Sequence, residues 1–261
     1  MPLLSHAEYV KAREAYSYAD AHAKFEVVQT GNLPCTGTFH GVFPGPVPRN
    51  HPAGVNLRKL EAICETVFSD AVTAGNECRS TPAHRANIKS LTLAIVQWKM
   101  ASQGGRSTEE RIRSRWTDST FGQLIRAYQH CSLMEFRIAG VAIPIASALL
   151  RFTHPHEFGI IDSRVVKHTQ QKGITTLSIR ADGYIMNTEM NVSKYYGEYN
   201  RFLAEEAKLL NTGGMTFSDF DAVGNPIRAS FRPCDIEMAL FSVLDLKANE
   251  TAKQVQWAVP D

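Results

Sequence analysis

The sequence predicts an all-α protein carrying one small β-hairpin, and three observations support that expectation. Apolar residues recur at helical spacing in one segment after another; Leu57, Leu60, Ile63, Cys64, Val67, Phe68 and Ala71 form one such stripe. Helix-start residues precede these runs: Asn56, Pro82, Ser132, Pro144 and Pro233. Strand-like alternation about a tight turn is confined to "TTLSIRADGYIMNT" at 175–188, where the Asp-Gly pair reads as a hairpin turn.

Taken in order, residues 5–29 read as an amphipathic helix with Tyr9, Ala12, Tyr16 and Ala19 at helical spacing. Residues 31–56 hold five Gly and five Pro. No helix survives that density of breakers, so the stretch reads as a long loop, either functional or a packing arm. Helices follow over 56–75, capped by Asn56, and over 82–102, with an apolar second half. "TDSTFGQLIRAYQHC" is a third, and "SLMEFRI" at 132–138 reads as a short helix opened by a capping box, Ser132 with Glu135 three residues on. After the hairpin, "VSKYYGEYNRFLAEEAKLL" and "FRPCDIEMALFSVLDLKA" complete the helices. The expected organisation is an N-terminal helical region with the loop (1–80), a helical core (81–248) and a tail (249–261), in one compact unit.

Composition narrows the function classes. No stretch approaches the roughly 18 apolar residues of a membrane span, and the first 25 residues lack the apolar run of a signal peptide. The expectation is a cytoplasmic protein without a membrane partner. Cys35, Cys64, Cys78, Cys131 and Cys234 include no C-x-x-C pair, which argues against a zinc ribbon, a clustered iron–sulfur centre or a disulfide framework. No metal and no cofactor is expected. The net charge is only +2, but Arg79–Arg115 holds eight Lys/Arg against Glu109 and Glu110, hence +6, leaving −4 elsewhere. That block suits a polyanion, or equally a solvated helix face.

The chemistry concentrates in "GVAIPIASALLRFTHPHEFGIID", Gly140 to Asp162. A short helix, a four-residue glycine-bearing turn and a second helix opened by Pro144 make a helix–hairpin–helix. Such a turn and helix start present N–H groups that suit phosphate oxygens. The stretch ends on a lone aspartate after two isoleucines. Burying an unpaired carboxylate is costly, so Asp162 is either a helix cap or a working group.

These residues resemble the helix–hairpin–helix DNA glycosylase superfamily, whose hallmark is a hairpin "L-P-G-V-G-x-K-T-A", a helix and then an aspartate. Gly140-Val141-Ala142 falls on its Gly-Val-Gly, Ala146 on its helix alanine and Asp162 on its catalytic aspartate. "SRVVKH" resembles the run into the family's next helix, and the spacing of eighteen from Pro144 to Asp162 is that of its endonuclease III branch. The resemblance is specific over about 130–168; the loop at 31–56 and the hairpin at 175–188 match nothing in the common core. Three departures define the expectation further. Ala142 replaces the second glycine, Pro144 stands where bifunctional members carry the Schiff-base lysine, and the four-cysteine cluster is absent.

The resemblance implies a monomeric, monofunctional DNA N-glycosylase acting on double-stranded DNA that bears a damaged or modified base. Breaking a base–sugar bond passes through an oxocarbenium-like state, which a carboxylate beside C1′ stabilises while orienting or deprotonating water. Asp162 takes that role. Gly140, Val141, Ala142, Ile143, Lys99 and Arg115 are expected at the DNA backbone, and Arg164 either there or as the partner that keeps Asp162 ionised. The base must leave the stack for a pocket, for which Trp98, Tyr128 and His154 are the candidates, each with core packing or loop exposure as its ordinary alternative. His156 shares that alternative. The rival readings are a non-catalytic DNA-binding module with Asp162 as a cap, and a helical protein whose hairpin mediates protein contacts. The excised base is not fixed by the sequence; lesions in cellular DNA and modified bases in foreign, for example viral, DNA both fit.

Overall fold

The computed structural model of the protein describes residues 3–16, 24–28, 37–50, 54–76, 79–100 and 106–244. Its helices are α1 (His6–Glu14), α2 (Leu57–Asn76), α3 (Pro82–Met100), α4 (Arg106–Ser114), α5 (Asp118–Gln129), α6 (Ile143–Thr153), α7 (Ser163–Gln171), α8 (Glu189–Lys194), α9 (Arg201–Thr212) and α10 (233–244). A 3₁₀ turn at Ile138–Gly140 precedes α6, and a π-helical segment at Tyr195–Asn200 joins α8 to α9. Three two-stranded sheets complete it: β1 (Lys24–Val27) with β2 (Gly37–His40), β3 (Val42–Phe43) with β4 (Val55–Asn56), and β5 (Phe217–Phe220) with β6 (Pro226–Ala229).

The predominance of helix agrees with the sequence, and each expected helix after residue 56 is present except one. Asn56 accepts from the Lys59 N–H at 2.8 Å, capping α2, whose predicted stripe is buried. Thr117 opens α5 by a reciprocal pair with Thr120. Helix α3 is the hub. Its residues Leu91 to Val96 are all buried because β1, α2, α4, α5 and α6 surround it. A single cluster of buried apolar side chains runs from Tyr9 through Leu60 and Leu149 to Leu240, so the N-terminal region and the helical core share one interior.

Four expectations need correction. The first helix ends at Glu14, and "KFEV" is a strand with alternating burial. Its N–H groups at Lys24 and Glu26, and that of Val28 just past it, donate to Gln97, Ser90 and Asn87 of α3, so tertiary bonds settle what helix periodicity left ambiguous. Ala19 lies outside the described residues. The described part of the 31–56 loop contains β2, β3 and β4, the last two paired in parallel as Val42↔Val55 and Phe43↔Asn56. The segment 132–138 is a run of turns, not a helix. The Ser132 hydroxyl does accept from the Glu135 N–H, but Tyr196 takes the Leu133 N–H and Gln123 takes the Glu135 carbonyl. The Glu135 carbonyl that a helix would bond to Ala139 is occupied by Gln123, and Ala139 turns to φ 49°.

The fourth correction is β5–β6, which was not expected. Its turn is closed by Asp221 Oδ1, which accepts from the Val223 and Asn225 N–H groups at 2.9 Å, with Gly224 at φ +94°. The alternation "FSDF" before a Gly-Asn-Pro turn was its signal. The expected hairpin at 175–188 is present in reduced form, one bridge between Ile179 and Ile185 around Gly183. The tail at 249–261, Cys35 and Cys78 lie outside the described residues, among which Cys131 and Cys234 are in no disulfide.

Candidate active site

The hairpin preceding α6 is built on left-handed backbone: Ala139 sits at φ 49° and Gly140 at φ +72°, and the Val141 N–H closes onto the Ile138 carbonyl at 3.0 Å. Ile138, Val141 and Ile143 anchor the turn in the core while Gly140 and Ala142 face outward. Gly140 serves the turn through φ alone, since nothing lies within 4 Å of where its Cβ would be. Ala142 caps α6 without a side-chain bond, so the helix start has no internal anion on it. The first arm is the turn region described above, which departs from a helix–hairpin–helix in its strict form. Helix α4 packs beside the 3₁₀ turn and carries exposed Arg111 and Arg113, with exposed Arg115 just beyond it.

The chain then reverses and runs back along α6 in extended form, and side chains satisfy its buried backbone. The Gly159 N–H donates to Asn200 Oδ1 at 3.0 Å, and the Tyr195 and Tyr199 hydroxyls donate to the carbonyls of Gly159 and Ile160. The Ile161 N–H donates to Ser147 Oγ at 3.0 Å, and the same hydroxyl donates to the Pro144 carbonyl. Asp162 is therefore pinned beside the first turns of α6, at the hairpin end. The π-helical segment supplies three of these anchors; an inserted residue there rotates Tyr195, Tyr199 and Asn200 onto one face. Gly159 lets the helices close in on the run: a Cβ there would displace the end of the Leu203 side chain of α9.

Asp162 caps α7, its Oδ1 accepting from the Arg164 N–H at 2.9 Å and lying 3.3 Å from Arg164 Nε. Its Oδ2 lies 3.7 Å from Lys99 Nζ, and the two side chains are 14% and 15% exposed. Burial works against the Asp162 charge, yet Lys99 and then Arg164 outweigh it and hold the carboxyl below its ordinary range. Asp162 is thus an ionised, nearly sheltered carboxylate at a helix start. Of the two roles expected of Arg164, the geometry shows the partner of Asp162; its guanidinium also lies 3.9 Å above the Phe241 ring.

Other expected site residues fall elsewhere. Lys99 points at Asp162, so its charge is committed there and not to an open phosphate face. Trp98 is 4% exposed and packs edge-on to Phe152 at 5.1 Å, which removes it from any base pocket. His154 stacks on Tyr128 at 4.8 Å, and burial lowers its pKa. That pair sits at the far end of α6, seven residues past Ser147 and so about 10 Å along the axis; it does not share a site with Asp162. A groove of about 1020 Å³ is lined by Arg58, Glu61, His156 and Arg232 among others, and not by Asp162.

Sequence reasoning missed Glu237 of α10, 5% exposed, as well as Tyr199. Burial pushes Glu237 up, Lys99 pulls it back, and the Asp162 charge adds to the push, leaving it at about 8. Its signal was the one that marked Asp162, an acid inside an apolar run, here "CDIEMALF". Among the described residues no helix is long and apolar enough to cross a membrane, and no cluster of three His, Cys, Asp or Glu is placed to hold a metal. Comparison with protein-family models, with curated proteins and with solved structures finds no match to this chain.

Proposed function

We propose that the chain is a monofunctional DNA N-glycosylase that flips a damaged or modified base out of duplex DNA and hydrolyses its bond to deoxyribose. The observation that carries this reading is Asp162, kept ionised by Lys99 and Arg164 at the end of α6 that bears the hairpin turn. A fixed negative charge there opposes the positive charge that develops at C1′, and the same carboxylate takes the proton of the attacking water. The outward Gly140 and Ala142, the start of α6 and the arginines of α4 form the surface offered to the phosphates. Pro144 has no amine, and Lys99 is engaged with Asp162, so the product is an intact strand with an abasic site.

The test is incubation with a panel of modified-base duplexes and modified phage DNA, scoring abasic sites. Strands should break only after alkali or heat, and borohydride should trap no protein–DNA adduct. A robust adduct lost in Lys99→Ala would replace hydrolysis with an amine mechanism. Duplex affinity should fall with salt, each phosphate contact giving about −0.9 in the log–log slope, and Arg115→Glu should reduce that slope by about one. One observation favours a second reading, a DNA-binding module without catalysis: the Asp162 carboxylate does cap α7. Base release by the wild-type chain separates the two.

A further inference from the structure

We propose that Ser147 and Tyr199 are positioning residues for Asp162. Their hydroxyls clamp one peptide unit from its two edges and set the carboxylate in register with the start of α6 offered to the DNA backbone. This rests on the glycosylase reading. The Ile160 carbonyl and the Ile161 N–H belong to the same planar peptide, which leads into Asp162. Tyr199 donates its hydroxyl to that carbonyl at 2.9 Å, and Ser147 Oγ accepts from that N–H at 3.0 Å. Both side chains are fully buried. The Tyr199 hydroxyl also faces the Asp162 N–H, one peptide further on. One clamp arm belongs to α6 and the other to the π segment, some fifty residues later, so the plane cannot tilt without breaking a bond.

The ion pairs of the carboxylate do not give that precision. Lys99 Nζ stands 3.7 Å from Oδ2 and Arg164 Nε 3.3 Å from Oδ1, distances at which charges attract but geometry is loose. The cap bond from the Arg164 N–H orients the side chain, and the backbone must bring it to its place. Ser147 supplies the reference point. Its hydroxyl hydrogen goes to the Pro144 carbonyl at 2.9 Å, in the first turn of α6 and two residues past Ala142. The Pro144 carbonyl, Ser147 Oγ and the Ile161 N–H thus link the hairpin end to the residue next to Asp162. Ser147 stands between the buried Ala146 and Ala148, where a third alanine would suit the apolar core, so the hydroxyl is there for its bonds. The link keeps the surface offered to the phosphates and the carboxylate offered to C1′ at a fixed separation. A misplacement of about 1 Å at a reacting group costs on the order of 10²-fold in rate. A third hydroxyl supplies the contrast: Tyr195 holds the Gly159 carbonyl at 2.8 Å, one peptide before the clamped one.

The experiment compares Ser147→Ala, Tyr199→Phe and Tyr195→Phe in the full chain. Each removes one hydroxyl and leaves a buried backbone group of the run unpaired, so a merely structural role makes all three alike. Single-turnover base release is measured at saturating protein on a duplex that the wild type processes, beside duplex affinity and thermal melting. Ser147→Ala and Tyr199→Phe should each lose about 10- to 10²-fold in rate, with affinity within about twofold of wild type. Tyr195→Phe should lose less than about threefold at a comparable drop in melting temperature, because the clamp beyond it is whole. A wild-type rate in either Ser147→Ala or Tyr199→Phe overturns the clamp and leaves the Asp162 reading standing. Equal rate losses in all three variants, or losses that track a fall in affinity, show ordinary pairing of buried backbone and also overturn it. Should Ser147→Ala fail to fold, Tyr199→Phe, which removes a single oxygen, decides alone. If the wild type releases no base from any duplex, the glycosylase reading falls first and takes the positioning role with it.

Discussion

Two clusters of buried charge share α10, Asp235 belonging to one and Glu237 to the other, and they behave oppositely. In the first, Arg13, Arg58, Arg151 and Arg232 interlock with Glu61, Asp219 and Asp235. Glu61 receives Arg151 at 2.6 Å and Arg232 at 2.8 Å; Asp235 receives Arg13 and Arg232 at 2.9 Å; Asp219 receives Arg58 at 2.6 Å. This network ties α1, α2, α6, β5 and α10 together. In the second, Asp162 has one ion pair at 3.7 Å and one at 3.3 Å, and Glu237 has none among the described residues. The number of charges does not mark a working site. The first cluster pairs each carboxylate closely with arginines and ties elements together; in the second the contacts to Asp162 are longer, which is the arrangement that the proposed function needs.

The largest effect should come from breaking the first cluster. Arg232→Ala strands Glu61 and Asp235 without their shared partner, and the destabilisation should reach roughly 3–5 kcal/mol by urea denaturation. A midpoint that barely moves would mean the network is not what holds the termini on the core. Asp162→Asn attacks the second cluster with the opposite outcome. Base release should fall by about 10²–10³ or more while the chain still folds, because asparagine keeps the cap on α7 and only the ion pairs to Lys99 and Arg164 are lost. Wild-type turnover in this variant, or an unfolded protein, would remove the catalytic assignment.

Titration should separate the clusters by sign. Burial alone would raise Glu61, but Arg151 and then Arg232 hold it at about 2, below its ordinary 4.5. Its contribution is therefore present above pH 4.5 and is lost as the pH falls through 2. Glu237 lies on the other side: its contribution is present below pH 4.5 and is lost as the pH rises to about 8. Each group contributes a slope of up to about 1.4 kcal/mol per pH unit within its window. Denaturation midpoints from pH 3 to 9 should show Glu61→Gln lowering stability throughout the range above pH 4.5 and flattening the fall toward acid, and Glu237→Gln flattening the decline between 5 and 8. Identical curves for Glu237→Gln and wild type would show that this carboxyl is ionised at neutral pH.

The smallest effect concerns the hairpin that brings Asp162 to its place. Ala139→Gly relieves a left-handed alanine and should stabilise the fold by about 0.5–1 kcal/mol, whereas Gly140→Ala should destabilise it by about 1 kcal/mol. Thermal melts that rank these two the other way would contradict the turn geometry.

Much of the helical frame was legible because its signals are local. The α2 stripe, the Asn56 start and the turn around Gly140 depend on residues a few positions apart, and one-dimensional patterning records them. Asp162 was legible for the same reason, as an acid closing an apolar run. What the sequence alone could not determine depends on contacts between residues far apart in the chain. "KFEV" is a strand because Gln97 and Ser90 take its Lys24 and Glu26 N–H groups on one edge and β2 pairs with the other, and "SLMEFRI" is not a helix because Gln123 takes the Glu135 carbonyl. Lys99 was placed with the basic block by its neighbours in sequence; only the packing of α3 against the start of α7 turns it onto Asp162. Glu237 follows the same rule. Its spacing is that of an ordinary helix residue, and its unusual proton affinity exists only because folding removes it from water beside a carboxylate that keeps its charge.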